Sequence, residues 1–197
     1  VGDATSGAPA DAVYQGAPGA FSEDAARMLV GHRARLRPCA TLEDVLAALV
    51  AGEAGAAIVP VENTLAGPVP GSAALLARPD IRIVGECTMP VVQALIAAPG
   101  VDRACLRRVH SHPMALAQCR RFFARHPALD AVPAFDTAGA VRDTVASGAR
   151  DTAAIAGVRA ARLYGAVVLA SGIQDSDDNR TRFVRLVRAE KTGRSFV

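Results

Sequence analysis

Short apolar runs alternate along this chain with stretches whose apolar residues recur at helical spacing. Val13-Tyr14 predicts a short strand ending in Gly16-Ala17-Pro18-Gly19, after which Ser22 is placed to cap a helix carrying Ala25, Ala26, Leu29 and Val30. Thr41, with Asp44 three residues on, predicts a capped helix. Its Leu42, Val45, Leu46, Leu49 and Val50 share a face, and Gly52 stops it. Residues 56–60 read as a buried strand that delivers Val61-Glu62-Asn63-Thr64 at its C-terminal end. Two further strands, residues 81–86 and 91–97, are joined through Thr88-Met89-Pro90. The pattern then repeats. Strand 108–110 leads into a helix from Pro113 to about His126, with Leu116, Cys119 and Phe123 as its buried stripe and Gln118 off it. Residues 129–133 form a strand, Thr137 caps a helix that bears Val141 and Val145 and ends at Gly148, and residues 151–156 are again extended. A short helix over 158–163 and strand 166–170 follow. Finally Phe183-Val184-Arg185-Leu186-Val187-Arg188 alternates apolar and charged positions as a half-buried strand does.

This alternation of strand and helix implies an α/β fold with parallel sheets. The break near residues 86–90 and the return after about 170 predict two Rossmann-like lobes with a central cleft. Residues 11–87 plus 171–197 make the first lobe and 88–170 the second, with 1–10 a loose arm. Strand C-termini and helix N-termini of both lobes then face the cleft, where an anionic ligand is favoured.

Composition narrows the partners. The 197 residues are 51% apolar and 21% charged, so the chain is globular. A net charge of +3 with scattered Arg, no Trp and 4% aromatics gives no footprint for nucleic acid but suits a small anion. Cys39, Cys87, Cys105 and Cys119 are far apart, read as reduced core residues and form no metal pair, so no metal is expected. No apolar run reaches the ~18 residues of a membrane span, and the first ten residues lack the basic start of a signal peptide. The expected location is the cytoplasm.

Candidate chemistry gathers at Asp178-Asn179-Arg180-Thr181-Arg182-Phe183, which sets one hydroxyl between two guanidinium groups where a loop enters a strand. Strand alternation sends Arg180 and Arg182 to one face and Thr181 to the other. Such a site can hold a carboxylate and offer it a proton; the same pattern also describes an ordinary edge strand with Arg for solubility. The turn at Gly16–Gly19 either presents backbone N–H groups to an anion or is only a tight connection. Glu62-Asn63 either faces a ligand or caps its own turn.

Taken together, Tyr14-Gln15-Gly16-Ala17-Pro18-Gly19-Ala20-Phe21-Ser22, Val59-Pro60-Val61-Glu62-Asn63-Thr64, Ser111-His112-Pro113-Met114-Ala115-Leu116-Ala117-Gln118-Cys119, Asp136-Thr137-Ala138, Ala153-Ala154-Ile155-Ala156 and Asn179-Arg180-Thr181-Arg182-Phe183 resemble the prephenate dehydratase family, in order and over nearly the whole chain. The resemblance implies lobes similar to type 2 periplasmic binding proteins and a decarboxylating dehydration of prephenate to phenylpyruvate, carbon dioxide and water, in phenylalanine biosynthesis. No cofactor is needed because aromatisation drives the reaction. Thr181 is implied as the catalytic hydroxyl, within a hydrogen-bonded set including Asn63 and Gln118. Glu62, Asn63, Ser111, Gln118 and Thr137 match pocket positions, Arg182 and Phe183 flank the threonine, and Ala20, Phe21 and Ser22 complete the substrate contacts. Helix N-termini at Ser22, Pro113 and Thr137 are expected to fix the substrate's charges.

The chain departs from the family pattern at Ala20, Ala66, Pro68, Met114 and Asp136, the last where Ser or Thr is frequent. These departures bear on the substrate more than on the reaction. Arogenate dehydration, a prephenate decarboxylase-like role in specialised metabolism and a small-anion binding or sensing protein are the alternatives. Val197 comes fourteen residues after Phe183, so neither the regulatory ACT domain nor the chorismate mutase domain common in the family is expected, unless the sequence is a segment of a longer protein. Insensitivity to phenylalanine through an ACT site is therefore expected, as is a homodimer.

Overall fold

The structure, a computed structural model, describes residues 9–189. The elements in order are β1 (Ala12–Gln15), α1 (Phe21–Val30), β2 (Leu36–Cys39), α2 (Leu42–Ala51), β3 (Ala57–Asn63), β4 (Gly67–Pro68), α3 (Ser72–Leu76), β5 (Ile81–Pro90), β6 (Ala94–Ala97), β7 (Arg108–Ser111), α4 (Pro113–Ala117), α5 (Arg120–Arg125), β8 (Asp130–Pro133), α6 (Thr137–Ser147), β9 (Thr152–Ala156), α7 (Val158–Leu163), β10 (Val167–Ser171) and β11 (Arg180–Arg188). They build two sheets, one ordered β2-β1-β3-β11-β5 with β4 on the end of β3, the other β10-β6-β9-β7-β8. The fold is thus mixed α/β with two sheets. Most of the arm expected at residues 1–10 lies outside the described residues, but Ala10 is held in a parallel bridge to Ala54.

The sheets are not wholly parallel, contrary to the reading from alternation. β1 runs parallel to β2 and β3, whereas β11 is antiparallel to both β3 and β5. In the second sheet β7 is parallel to β8 and β9, and β6 is antiparallel to β9 and β10. The cause lies in the crossings. β11 comes back from the other sheet and starts beside the end of β3, with Thr181 opposite Asn63, so it must run the reverse way. The same pairing moves the crossing points. Thr88, Met89 and Pro90 pair with Arg182, Thr181 and Arg180 and so extend β5 of the first sheet, while Ser171 pairs with Ala94 in the second.

Helices cover both faces of each sheet. In the first, α2 and α3 pack over Val13, Val59, Val184 and Leu186, and α1 packs over Tyr14, Ile58 and Phe183. In the second, α4 and α5 bury Leu95, Val109 and Ile155, while α6 and α7 bury Ile96 and Ala154. Burying such apolar area supplies most of the stability, at about 25 cal/mol per Å². Among the described residues no helix is long and apolar enough to cross a membrane.

Three local readings need correction. α1 begins at Phe21 behind Ala20 with no side-chain cap, because the Glu23 carboxylate reaches back to the Gly19 N–H at 2.7 Å in place of Ser22. α6 is capped by Asp136, whose Oδ1 accepts from the Gly139 N–H at 2.5 Å, and Thr137 is its first residue. The helix expected to reach His126 is broken at Gln118–Cys119. There the Arg120 and Arg121 N–H groups donate to Asp175, at 3.1 and 2.8 Å, and start α5 afresh.

The sheets also touch away from the crossings. Ala17 and Ala20, on the β1–α1 connection, pack into the apolar cluster under α6 and α7. Gly19 has φ +91° and lies so close that a Cβ there would come within 3.0 Å of the Ala160 Cα. Tyr164 donates its hydroxyl to the Pro18 carbonyl at 2.8 Å, and Arg159 of α7 donates to Glu23 of α1 at 2.8 Å. These contacts set the width of the gap between the sheets.

Candidate active site

That gap holds a cavity of about 640 Å³, lined from both sheets. Its floor is built where β3 ends. Asn63 is the last residue of β3, and its Oδ1 accepts from the N–H groups of Leu65 and Ala66, each at 3.0 Å. An amide whose oxygen is held by two backbone donors must turn its nitrogen the other way. Asn63 Nδ2 accordingly faces β11, 2.9 Å from Thr181 Oγ1, 2.9 Å from Asn179 Oδ1 and 3.0 Å from the Arg180 carbonyl. The Thr64 hydroxyl donates to the Asp178 carbonyl and accepts from the Arg180 N–H, which pins the start of β11.

The network continues into the second sheet's side of the cavity. Asn179 Nδ2 donates to Gln118 Oε1 at 2.9 Å, and Gln93 Nε2 donates to the same oxygen at 3.2 Å. Asn63, Gln93, Gln118, Asn179 and Thr181 are all buried. None is ionisable. Because Thr181 Oγ1 accepts from Asn63, its own proton is left for another acceptor, and Thr181 lines the cavity. An N–H so placed also favours negative charge on this oxygen over an unsupported hydroxyl.

Charge around the cavity is unusual for a site expected to hold a dianion. Among the described residues no Lys or Arg lines it, whereas Glu43, Asp136 and His112 do. An anion there would meet backbone N–H groups, neutral side-chain donors and His112. The N-terminus of α1 opens onto the cavity at Phe21 and Ser22 without a side-chain cap, so its first N–H groups keep their capacity to bind an anion. Next to Gln118, burial and then nearby Asp175 push the Cys119 thiol up to about 12, which keeps it from acting as a nucleophile.

Of the residues singled out from sequence, Ala20, Phe21, Ser22, Asn63, Gln118, Thr137, Thr181 and Phe183 line the cavity. Three do not. Glu62 and Arg182 oppose each other one position along from Asn63 and Thr181, so strand alternation turns them away from it. They pair with each other at 3.6 Å, and Arg182 also reaches Glu86 at 3.3 Å. Ser111 is fully buried, and its hydroxyl is spent on the Ile155 carbonyl at 2.6 Å. Two members of the network were not among the chosen residues. Asn179 stands inside the Asn-Arg-Thr run, and Gln93 is a lone amide in the apolar stretch Val91 to Ala97, where a polar residue needs a buried partner.

A family model described as prephenate dehydratase matches residues 12–191. Arogenate dehydratase 1 of Petunia hybrida is 46% identical to the chain over 178 residues, which is 89% of this chain and 41% of that protein. Among solved structures, one described as GqqA, a novel type of quorum quenching acylase, superposes with a TM-score of 0.81 and 38% identity, covering 91% of this chain and 64% of that one. The prephenate dehydratase of Arthrobacter aurescens in complex with L-Phe gives a TM-score of 0.79 and 34% identity, covering 90% and 60%. The chain therefore spans about two fifths of the length of the curated relative.

Proposed function

This chain belongs to the prephenate dehydratase family, and from that premise we propose that its cleft catalyses the decarboxylating dehydration of a prephenate-type cyclohexadiene. Prephenate gives phenylpyruvate, carbon dioxide and water; arogenate, with an amino group in place of the keto group, gives phenylalanine by the same chemistry. The ring carboxylate leaves as carbon dioxide, its electron pair enters the ring, and the C–O bond at the far end breaks. The departing hydroxide takes the Thr181 proton and leaves as water, and Thr181 regains a proton from solvent. Aromatisation supplies the driving force, so a weak acid held in place suffices.

The observation that carries this reading is the 2.9 Å bond from Asn63 Nδ2 to Thr181 Oγ1 at the cavity wall. It leaves the hydroxyl proton to be given away and supports the oxygen that gives it. Acyl hydrolysis, suggested by the description of one structural neighbour, asks the opposite of Thr181. A nucleophilic hydroxyl must lose its proton to a base, and the side chains bonded around Thr181 offer none. A purely binding or sensing role has no need of the hydroxyl. Product formation from prephenate and arogenate, measured with calorimetric binding in the chain and in Thr181→Ala, tests the reading. Product from the unaltered chain alone, with binding kept in both, is expected. Binding without product in the unaltered chain would mark a binder.

A further inference from the structure

Resting on the dehydratase reading, we propose that the cleft selects a substrate whose side chain carries an ammonium group, arogenate over prephenate, and that Asp136 is the residue that makes the selection. Prephenate brings two negative charges and no positive one. Arogenate keeps both carboxylates and adds a cation. Among the described residues the lining of the cavity carries carboxylates at Asp136 and Glu43, the imidazole of His112, and neither Lys nor Arg, so a second unbalanced anion is disfavoured and an ammonium is welcome.

Asp136 has capacity to spare for such a group. As the N-cap of α6 it uses Oδ1 for the Gly139 N–H, and a carboxylate offers about four acceptor positions in all. The helix itself needs only an oxygen there, which Ser supplies equally well. Negative charge at this position is therefore free to serve the ligand. Gln93 is 2% exposed and lines the cavity, its Nε2 is bonded to Gln118, and its Oε1, itself closed off from solvent, meets no donor among the described residues. An ammonium brings three N–H donors; the keto group of prephenate brings none. The uncapped start of α1 remains for a carboxylate common to both substrates.

Steady-state rates on arogenate and prephenate, with calorimetric binding of each at neutral pH, test the assignment in the chain and in Asp136→Ser, which keeps the cap and removes the charge. The chain is expected to prefer arogenate. In Asp136→Ser the kcat/KM on arogenate should fall about tenfold or more, chiefly through KM, while that on prephenate rises. Asp136→Asn should shift the ratio in the same direction, and Glu43→Gln more weakly. A preference for prephenate, or an unchanged ratio in Asp136→Ser, overturns the proposal and leaves the dehydratase reading standing. If neither substrate is turned over, the dehydratase reading fails and the binding preference decides. Tighter arogenate binding that Asp136→Ser removes supports the ammonium site; equal or absent binding of the two overturns it.

Discussion

Thr181 and Asn63 share one hydrogen bond but stand to lose different things by substitution. Thr181→Val keeps the shape of the β11 start but removes the hydroxyl, which is both the proton donor and the acceptor of the Asn63 amide, so activity should fall by about 10²–10⁴ with calorimetric binding retained, whereas Thr181→Ser should keep part of the rate. Asn63→Leu removes a donor shared by Thr181, Asn179 and the Arg180 carbonyl, and the acceptor of the Leu65 and Ala66 N–H groups. Leaving these buried groups unpaired should cost about 1–3 kcal/mol in a denaturant titration as well as activity. At this scale the sequence shows some partners and hides others. Strand alternation around Thr181 was readable, and it turns Arg182 away from the cavity, so a role carried from motif adjacency misplaced Arg182 and Glu62. Gln93 and Asn179 join the site through bonds spanning 25 and 61 residues to Gln118, and Asn179 also through one spanning 116 residues to Asn63, which no local spacing reveals.

Elements with local causes were legible. The Thr41 hydroxyl accepts from the Asp44 N–H at 3.0 Å, the Asp44 carboxylate returns the bond to the Thr41 N–H at 3.1 Å, and Gly52 closes α2 in the left-handed region at φ +80°. Thr41→Ala should therefore lower stability by about 1 kcal/mol, read from the urea midpoint, without changing the slope of the transition. Elements with distant causes were not legible. Leu116, Cys119 and Phe123 fit one continuous helix, and only Asp175, more than fifty residues on, shows why α4 ends and α5 begins anew. That break matters for the site, since Gln118 lies at it and the Gln118 carbonyl accepts from the Asp175 N–H at 2.6 Å. β2 went unread because Leu36-Arg37-Pro38-Cys39 has no apolar alternation; it is an edge strand defined by its pairing with β1.

At the scale of the molecule, the ion cluster of Glu23, Asp24, Arg27 and Arg159 ties α1 of one sheet to α7 of the other. Burial alone would raise the Glu23 carboxyl, but the Gly19 N–H, Arg27 and Arg159 together hold it below the usual range. Burial keeps Asp24 raised despite Arg159. A lowered carboxyl contributes stability above its unfolded pKa of about 4.3 and loses it as pH falls through the folded value. Arg159→Gln should thus lower Tm at pH 7, and the gap to the unaltered chain should narrow between about pH 5 and pH 3 as Glu23 takes up its proton. The mixed sheets were beyond the alternation pattern, since the direction of β11 depends on where the chain re-enters the first sheet. That re-entry also orders events in time. Translation delivers the strands of the second sheet, residues 94–171, as an uninterrupted segment, while β5 waits beside an empty slot until β11 emerges. A chain released just short of residue 180 would hold one half with all its strands and one open-edged half, and it would lack Thr181, the proton donor of the proposed reaction.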